Sequence, residues 1–569
     1  MDPIESLNQL IAQEWELRLQ EDPLFATSVG DTRYNDRLPE VSEAAEVRRA
    51  QAVRDFLSRL QAIDREALPP ADQINYDIFA WELNNRRSEF EFQSYWLAID
   101  RMNGPQSFLP YMVDLSPFHS LQDYHHYLTR LRAVPAYLAA ITARLQGGVR
   151  RGMVPARPAV AGAEDGLRGL AQGAVKDSPF YAPFLTLPAG VPAAERADLQ
   201  SAGREVVQQA VMPAFQALAE YVQTSYLPAT RDTVSVSALP RGAEYYRFLV
   251  EQFTTQSVTP RQVHEIGRAE VSRIRAEMQA VMDATDFNGS FDEFLAFLRS
   301  DPRFYAITPD DLLKTVALLM KRMDGELPRL FSVLPRTPYG IKAVPDTIAP
   351  TQTTAYYFPA TGDGSTAGFY YVNTYDLPSR PLYEIEALSL HEAVPGHHLQ
   401  IALQQKMQAV PNFRRYCMVT SYVEGWALYS ERLGLEVGFY QDPYSNFGRL
   451  TYEMWRACRL VIDTGLHALG WSRQQAINFM AENTALSLLN IQNEVDRYIA
   501  WPGQALAYKM GELKIRALRT QAEETLAERF DLREFHRVLL EDGPVPLDLL
   551  EKKIVAWIDH GVQPARHAD

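Results

Sequence analysis

Residues 385–403 read IEALSLHEAVPGHHLQIAL. Ile385, Leu388 and Leu390 before the histidines, and Leu399, Ile401 and Leu403 after them, give helical periodicity on both sides of Pro395-Gly396. Three of the chain's 11 histidines fall in this stretch, and Glu392 follows the first. The pattern is not H-E-x-x-H, because the residue four after His391 is Pro395. On a regular helix at about 100° per residue, His397 would sit roughly 240° round from His391. His398 would return to the same side but about 10.5 Å along the axis, too far to share one cation with bonds near 2 Å. Proline removes a backbone donor and clashes with the preceding turn, and glycine admits dihedrals closed to other residues. A two-residue bulge at Pro395-Gly396 is therefore expected to carry His397 to the place normally held by the fourth residue. His391 and His397 are the expected ligands, with His398 as the alternative second ligand or as an outer hydrogen-bond donor.

Zinc hydrolases need neutral imidazoles, a carboxylate that takes a proton from the attacking water, and an open coordination position. Glu392 is the expected general base. A third ligand should come from a neighbouring helix, and SYVEGWALYSERLG offers two carboxylates. Glu424 lies among Tyr422, Val423, Trp426 and Ala427, where an unpaired carboxylate is costly and a metal removes the cost. Glu431, followed by Arg432, suits a partner for an imidazole N–H.

Outward from this segment the pattern is mostly helical. Apolar residues recur at helical spacing over 4–20, 43–63, 73–92, 121–147 and 194–225, and again over 259–286, 290–299, 308–323 and 327–333. Thr259-Pro260 is an N-cap followed by proline at the first helical position. Near residue 340 the period changes: AVPDT, TTAYYFPA and GFYYVNTYD are short, aromatic and β-branched, separated by Gly and Pro, and predict a small sheet. Helical periodicity returns at Pro381. The division expected is a helical N-terminal lobe over 1–230 and a catalytic lobe over 231–569, with the sheet at about 340–376.

The 569 residues allow about three to five packing units, or two large lobes around a cleft. With 46% hydrophobic and 22% charged positions the chain is neither disordered nor fibrous. A net charge of −15 argues against a nucleic-acid partner, which selects a basic surface. Two isolated cysteines, Cys417 and Cys458, exclude thiolate clusters and a disulfide framework. No run of about 20 apolar residues is present, so no membrane-spanning helix is expected. The start, MDPIESLNQL, lacks a basic and then apolar leader, which places the chain as it stands in the cytoplasm, and in the periplasm or outside the cell if an export signal has been removed.

The segments HEAVPGHH, YYVNTYDLPSRPLYE, YVEGWALYSE, RLVIDTGLHALGWS and RYIAWPGQALAYKMGELKI together resemble the bacterial DUF885 proteins, most specifically from Tyr370 to Ile515. The resemblance implies a zinc metallopeptidase similar to the mainly helical gluzincins: a large α architecture with a deep cleft and a small sheet insertion, acting on short peptides. In such enzymes two histidines on one helix are followed by a glutamate on a later one, a plan that Glu424 suits. It further implies that a tyrosine or histidine from a late segment helps hold the oxyanion. Tyr498 and Tyr508, flanking WPGQAL with Gln504, are the candidates, together with His467. Arg459, Asp463 and His467 share a helical face, and Arg459 is a candidate anchor for a substrate carboxylate, or else a structural partner of Asp463. Tyr371 and Asn373 would line a strand edge that receives an extended peptide, and the loop TGDGSTAG would form a rim above it. Two rival readings use the same residues: a zinc amidase acting on a non-peptide or modified amino-acid substrate, and a binding protein that keeps the fold without catalysis.

Overall fold

The computed structural model describes residues 2–560, apart from residues 347, 348, 351, 362, 363, 365 and 409. It is mainly α-helical, with one three-stranded sheet among the described residues. The chain divides into two compact units, Met1–Tyr245 and Tyr246–Asp569.

The first unit is built on the 31-residue helix Leu121–Arg151. A Ser120/Asp123 capping box starts it and Gly152, in the left-handed region at φ 69°, ends it. Its face Leu128, Leu131, Val134, Leu138, Ile141 and Leu145 is buried against Phe180, Phe184, Phe215 and Leu218. The buried hydroxyls of Tyr124 and Tyr127 donate to the carbonyls of Pro183 and Phe180, both at 3.0 Å, so that burial leaves no donor unmet. The helix expected over 194–225 runs continuously but widens to i→i+5 turns at 207–211 and 222–226. On this long helix His125 is exposed and His126 half-buried.

The second unit carries the histidine segment. Among its helices are α1 (Pro260–Asp283), α2 (Pro309–Leu330), α3 (Ile385–Glu392), α4 (His397–Gln405), α5 (Thr420–Leu433), α6 (Pro443–Ala468), α7 (Leu488–Ala500), α8 (Ala507–Leu526) and α9 (Leu532–Leu540). The capping box Thr259/Gln262 opens α1. The two helices expected at 308–323 and 327–333 are one, α2, with Pro328 in its last turn.

The sheet comprises β1 (Tyr339–Ala343), β2 (Ala355–Phe358) and β3 (Gly368–Val372) in the order β1-β3-β2. β1 pairs with β3 in parallel and β2 pairs with β3 antiparallel, placing Tyr371 opposite both Lys342 and Tyr356. The first strand lies earlier than the AVPDT reading, since Pro345 has no N–H to give a ladder. β3 is the central strand, hydrogen-bonded on both sides, so Tyr371 and Asn373 do not form the open peptide-binding edge expected of them. The Tyr371 ring stacks on Tyr356 at 4.9 Å. Asn373 is fully buried and spends its amide on the carbonyls of Ala349 (2.9 Å) and Thr353 (3.0 Å). Part of the loop Thr361–Gly368, read as a rim, lies outside the described residues.

The crossing of α5 and α8 brings the site together. A Cβ on Gly425 would lie 2.6 Å from the Gly511 backbone, and one on Gly511 would lie 1.9 Å from the Ser421 carbonyl oxygen. Only glycine at both positions lets the backbones touch. Glu424 stands beside one glycine and Tyr508 one turn before the other.

Candidate metal centre

The helix break is more complete than a bulge. α3 stops at Glu392 and α4 begins at His397, with Ala393–Gly396 between them in non-helical conformation. The Val394–Pro395 peptide is cis. The new helix restarts against the old one: His398 N–H donates to the Ala393 carbonyl at 3.0 Å. A Cβ on residue 396 would lie 1.8 Å from the His391 carbonyl oxygen and 2.5 Å from that of Leu390, so glycine is required. From α5, Trp426 Nε1 donates to the Pro395 carbonyl at 2.9 Å. The helix that carries Glu424 thus also clamps the break that positions His397.

The result is a cluster of three donor atoms. Glu424 Oε2 lies 3.4 Å from His391 Nε2 and 3.4 Å from His397 Nε2, and all three ligand atoms lie within 4.8 Å of one another. The imidazole planes are nearly perpendicular, at 87°. A good N–H···O bond is about 2.7–3.2 Å. Two ligands at about 2.0–2.1 Å from a tetrahedral cation are separated by about 3.3–3.4 Å, the spacing of Glu424 Oε2 from each histidine. Glu424 Oε2 is buried and has no hydrogen-bond partner among the described residues. The donor set and the orphaned oxygen both fit a divalent cation of the zinc type.

His391 Nδ1–H donates to Glu431 Oε1 at 2.8 Å, which leaves Nε2 as the ligand nitrogen. Glu431 Oε1 is in turn 3.3 Å from Arg456 Nη2, whose charge offsets that of the carboxylate. Burial opposes charge on His391, yet the Glu424 and Glu431 carboxylates beside it outweigh that and push its pKa up to about 9. Burial likewise opposes charge on Glu424, but the His397 and His391 imidazoles hold it well below the usual carboxylate range. A bound cation would replace the proton these groups share.

His398 is not the second ligand in this arrangement. Its Nε2–H donates to the Thr337 carbonyl at 3.1 Å, and its Nδ1 accepts from the Tyr357 hydroxyl at 2.8 Å. Both nitrogens are used to tie α4 to the sheet, and burial lowers the ring's pKa to about 4. Glu392 ends α3 beside His391, is 8% exposed, and makes no hydrogen bond or ion pair with the described residues.

Of the late-segment candidates, Tyr508 joins the cluster and the others hold it up. The Tyr508 ring lies parallel to the His391 ring at 6.3 Å. Its hydroxyl accepts from Arg497 Nη2 at 3.1 Å, and its proton has no acceptor among the described residues. Tyr498 is a correction. Its buried hydroxyl accepts from both Trp455 Nε1 and Arg459 Nε at 2.9 Å, so it is a structural bridge and not an oxyanion donor. His467 is another: wholly buried, its Nε2 bonds the Tyr498 backbone carbonyl at 2.9 Å and fastens α6 to α7. Arg459 pairs with Glu494 at 2.9 Å, not with Asp463, and is 2% exposed, so it offers no open anchor. Asp463 accepts from Tyr246 (2.5 Å) and from the Gly503 N–H, bracing the WPG turn. Gln504 accepts from Arg497 Nη2 at 2.7 Å.

Three residues escaped the sequence reading. Arg456 steadies Glu431, Arg497 steadies Tyr508, and Lys509 is fully buried with Glu270, Glu453 and Glu512 at 2.9–3.0 Å. The carboxylates around Lys509 come from α1, α6 and α8, a convergence that no local spacing announces. Arg497 carried one signal: it directly precedes Tyr498 and lies three residues after Glu494.

Among the described residues no helix is long and apolar enough to cross a membrane. The chain matches, over residues 23–554, the family described as "Bacterial protein of unknown function (DUF885)". No curated protein matches it. It is similar to a crystal structure described as that of "the putative lipoprotein from Colwellia psychrerythraea", at a TM-score of 0.93 and 28% identity over 99% of this chain and 100% of that one. A Shewanella oneidensis structure of the same description, of unknown function, gives a TM-score of 0.72 at 18% identity over 96% of this chain and 99% of that one, a likeness of fold. The chain belongs to the DUF885 family.

Proposed function

We propose that this DUF885 protein is a zinc-dependent metallopeptidase that hydrolyses peptide bonds of short peptides. The observation that carries the reading is the placement of Glu424 Oε2 at 3.4 Å from both ligand nitrogens of His391 and His397, with Glu392 unpaired beside them. His391, His397 and Glu424 would hold the cation, which when bound supplies Lewis acidity toward a scissile carbonyl and toward water.

The remaining work belongs to the chain. Glu392 takes the proton of the attacking water and returns it to the leaving amine, so that one carboxylate serves first as base and then as acid. Glu431 holds His391 in the tautomer that presents Nε2. The Tyr508 hydroxyl has a proton to donate to the developing oxyanion, while Arg497 fixes its oxygen from the other side. Closure of the site is nearly complete: Glu424 is the most open of the three ligand side chains at 17%. Small, extended substrates suit such a site better than folded proteins.

The test is metal analysis of the purified chain followed by chelation and zinc add-back. One zinc per chain is expected, with peptide hydrolysis lost on chelation and restored by zinc. The Glu392→Gln variant should retain zinc and lose about 10²–10⁴-fold in kcat. Full activity in that variant, or in the metal-free chain, would overturn the reading.

A further inference from the structure

Helix α4 carries His397 at its first residue and ends at a cavity of about 570 Å³. The cavity lies between the chain that follows α2, the end of α4 and the end of α9. Phe331, Val333, Leu334, Leu403, Met407 and Leu540 give it a mostly apolar wall. Phe331 and Leu540 are buried, whereas the consecutive Val333 and Leu334 stand 50% and 39% exposed. A single exposed apolar side chain needs no explanation, but two in a row on the wall of an apolar hollow mark a place where something binds. The inner wall is held in shape: Phe331 stacks on His536 with ring centres 4.9 Å apart. His536 spends its Nδ1 on the Leu330 carbonyl at 2.8 Å and its Nε2 on the Tyr429 hydroxyl at 2.9 Å, so it turns no hydrogen-bonding atom to the cavity.

Charge chooses the sign of the occupant. Arg336, Lys406 and Arg537 line the cavity with a single carboxylate, Glu541. Arg537 is committed to Glu541 and to Glu534 at 2.8 Å, and Glu541 is further shared with Lys553 at 3.3 Å. Arg336 and Lys406 are exposed, and their side chains make no hydrogen bond or ion pair with the described residues. Two uncommitted cations thus sit against an apolar hollow in a chain whose net charge is −15. Size chooses its class. Small-molecule sites run to about 300–1,000 Å³, whereas a protein partner needs about 800 Å² of surface on each side.

We propose that this cavity binds a medium-chain fatty carboxylate. Its hydrocarbon tail lies against Phe331, Leu403 and Leu540, where burial of methylene groups supplies the affinity. Its head meets Arg336 and Lys406 in charge-assisted hydrogen bonds. The site is distinct from the metal centre and does not depend on the peptidase reading.

The experiment is calorimetric titration of decanoate, octanoate and decanol into the full-length, zinc-loaded chain. Decanoate should saturate one site per chain. Octanoate, two methylenes shorter, should bind about 10-fold more weakly. Decanol, which has the tail without the charge, should also bind about 10-fold more weakly. The double variant Arg336→Gln/Lys406→Gln changes two exposed side chains, so the fold should keep its wild-type Tm. It should bring decanoate down to the level of decanol and leave decanol unchanged. Val333→Glu, which sets a like charge on the wall, should weaken decanoate and leave zinc content at its wild-type value. Because carboxylates are also zinc ligands, the titration is repeated on the metal-free chain, where decanoate should bind as before. Decanoate binding that disappears with the metal would place the ligand at the metal centre and overturn the inference. So would equal affinity for decanoate and decanol, wild-type affinity in the double variant, binding that never saturates, or no binding at all.

Discussion

Two adjacent histidines of this chain do different work because of what their second nitrogens meet. His397 has its Nε2 toward Glu424, while His398 uses both nitrogens, on Tyr357 and on the Thr337 carbonyl. His398→Gln should therefore leave zinc stoichiometry at one per chain, whereas His397→Gln should lose it, as read by metal analysis after gel filtration. Glu431 acts through His391. Its carboxylate accepts the Nδ1–H at 2.8 Å and is itself steadied by Arg456. Glu431→Gln should weaken zinc binding by about 10–100-fold, measured by competition with a chromogenic chelator, while the fold persists. An unchanged affinity would show that the tautomer is set by something other than this carboxylate.

At the scale of elements, the site depends on two places where backbones touch. One is the break between α3 and α4, where residue 396 packs against the carbonyls of His391 and Leu390. The other is the crossing of α5 and α8 at Gly425 and Gly511. Gly396→Ala places a methyl where a carbonyl oxygen already sits, so the break must open and His397 must leave Glu424. The expected cost is about 3 kcal/mol, at the upper end for single substitutions, with loss of zinc binding. Chemical denaturation with and without zinc measures both. A variant of wild-type stability and affinity would mean that the break has room the backbone positions deny. The sheet's contribution is also an element-level matter. β3 is flanked on both sides, so the sheet anchors α4 through Tyr357 and His398 and does not offer its central strand to a ligand.

Across the whole molecule, buried titratable groups set how stability varies with pH. Burial pushes Glu384 up to about 8, against the pull of Arg380 and Arg456, so the folded chain keeps a proton that the unfolded chain releases above about 4.5. Its contribution is fully present below that lower value and is lost as pH rises toward 8. Burial lowers His536 to about 3, with its Nδ1–H on the Leu330 carbonyl and its Nε2 accepting from Tyr429. The unfolded histidine takes up a proton below about 6.5 and the folded one does not, so acidification from 6.5 toward 3 removes stability. The two groups oppose one another, and Tm should pass through a maximum between acid and neutral pH. Glu384→Gln should remove the alkaline limb: its Tm relative to the wild type should climb from pH 5 to pH 8 in a calorimetric series. A difference that stays flat with pH would mean that Glu384 is ionised in the folded chain.

What could be read from the residues in order was whatever depends on near neighbours. Helical periodicity, the Thr259 cap, the break at Pro395-Gly396, the pairing of His391 with either His397 or His398, Glu392 beside them, and Glu424 with Glu431 one helix later all follow from local spacing and from the cost of placing a carboxylate among apolar residues. The tertiary structure decided which polar groups were already spoken for. Tyr498 and His467 look as suited to catalysis as Tyr508 until Trp455, Arg459 and a backbone carbonyl are found on them. Arg459 and Asp463 sit one turn apart, yet Arg459 pairs with Glu494 and Asp463 with Tyr246. A hydrogen-bonding atom takes its partner from whichever helix packs against it, and that choice is made by core shape and glycine contacts between segments distant in sequence, not by the residues on either side.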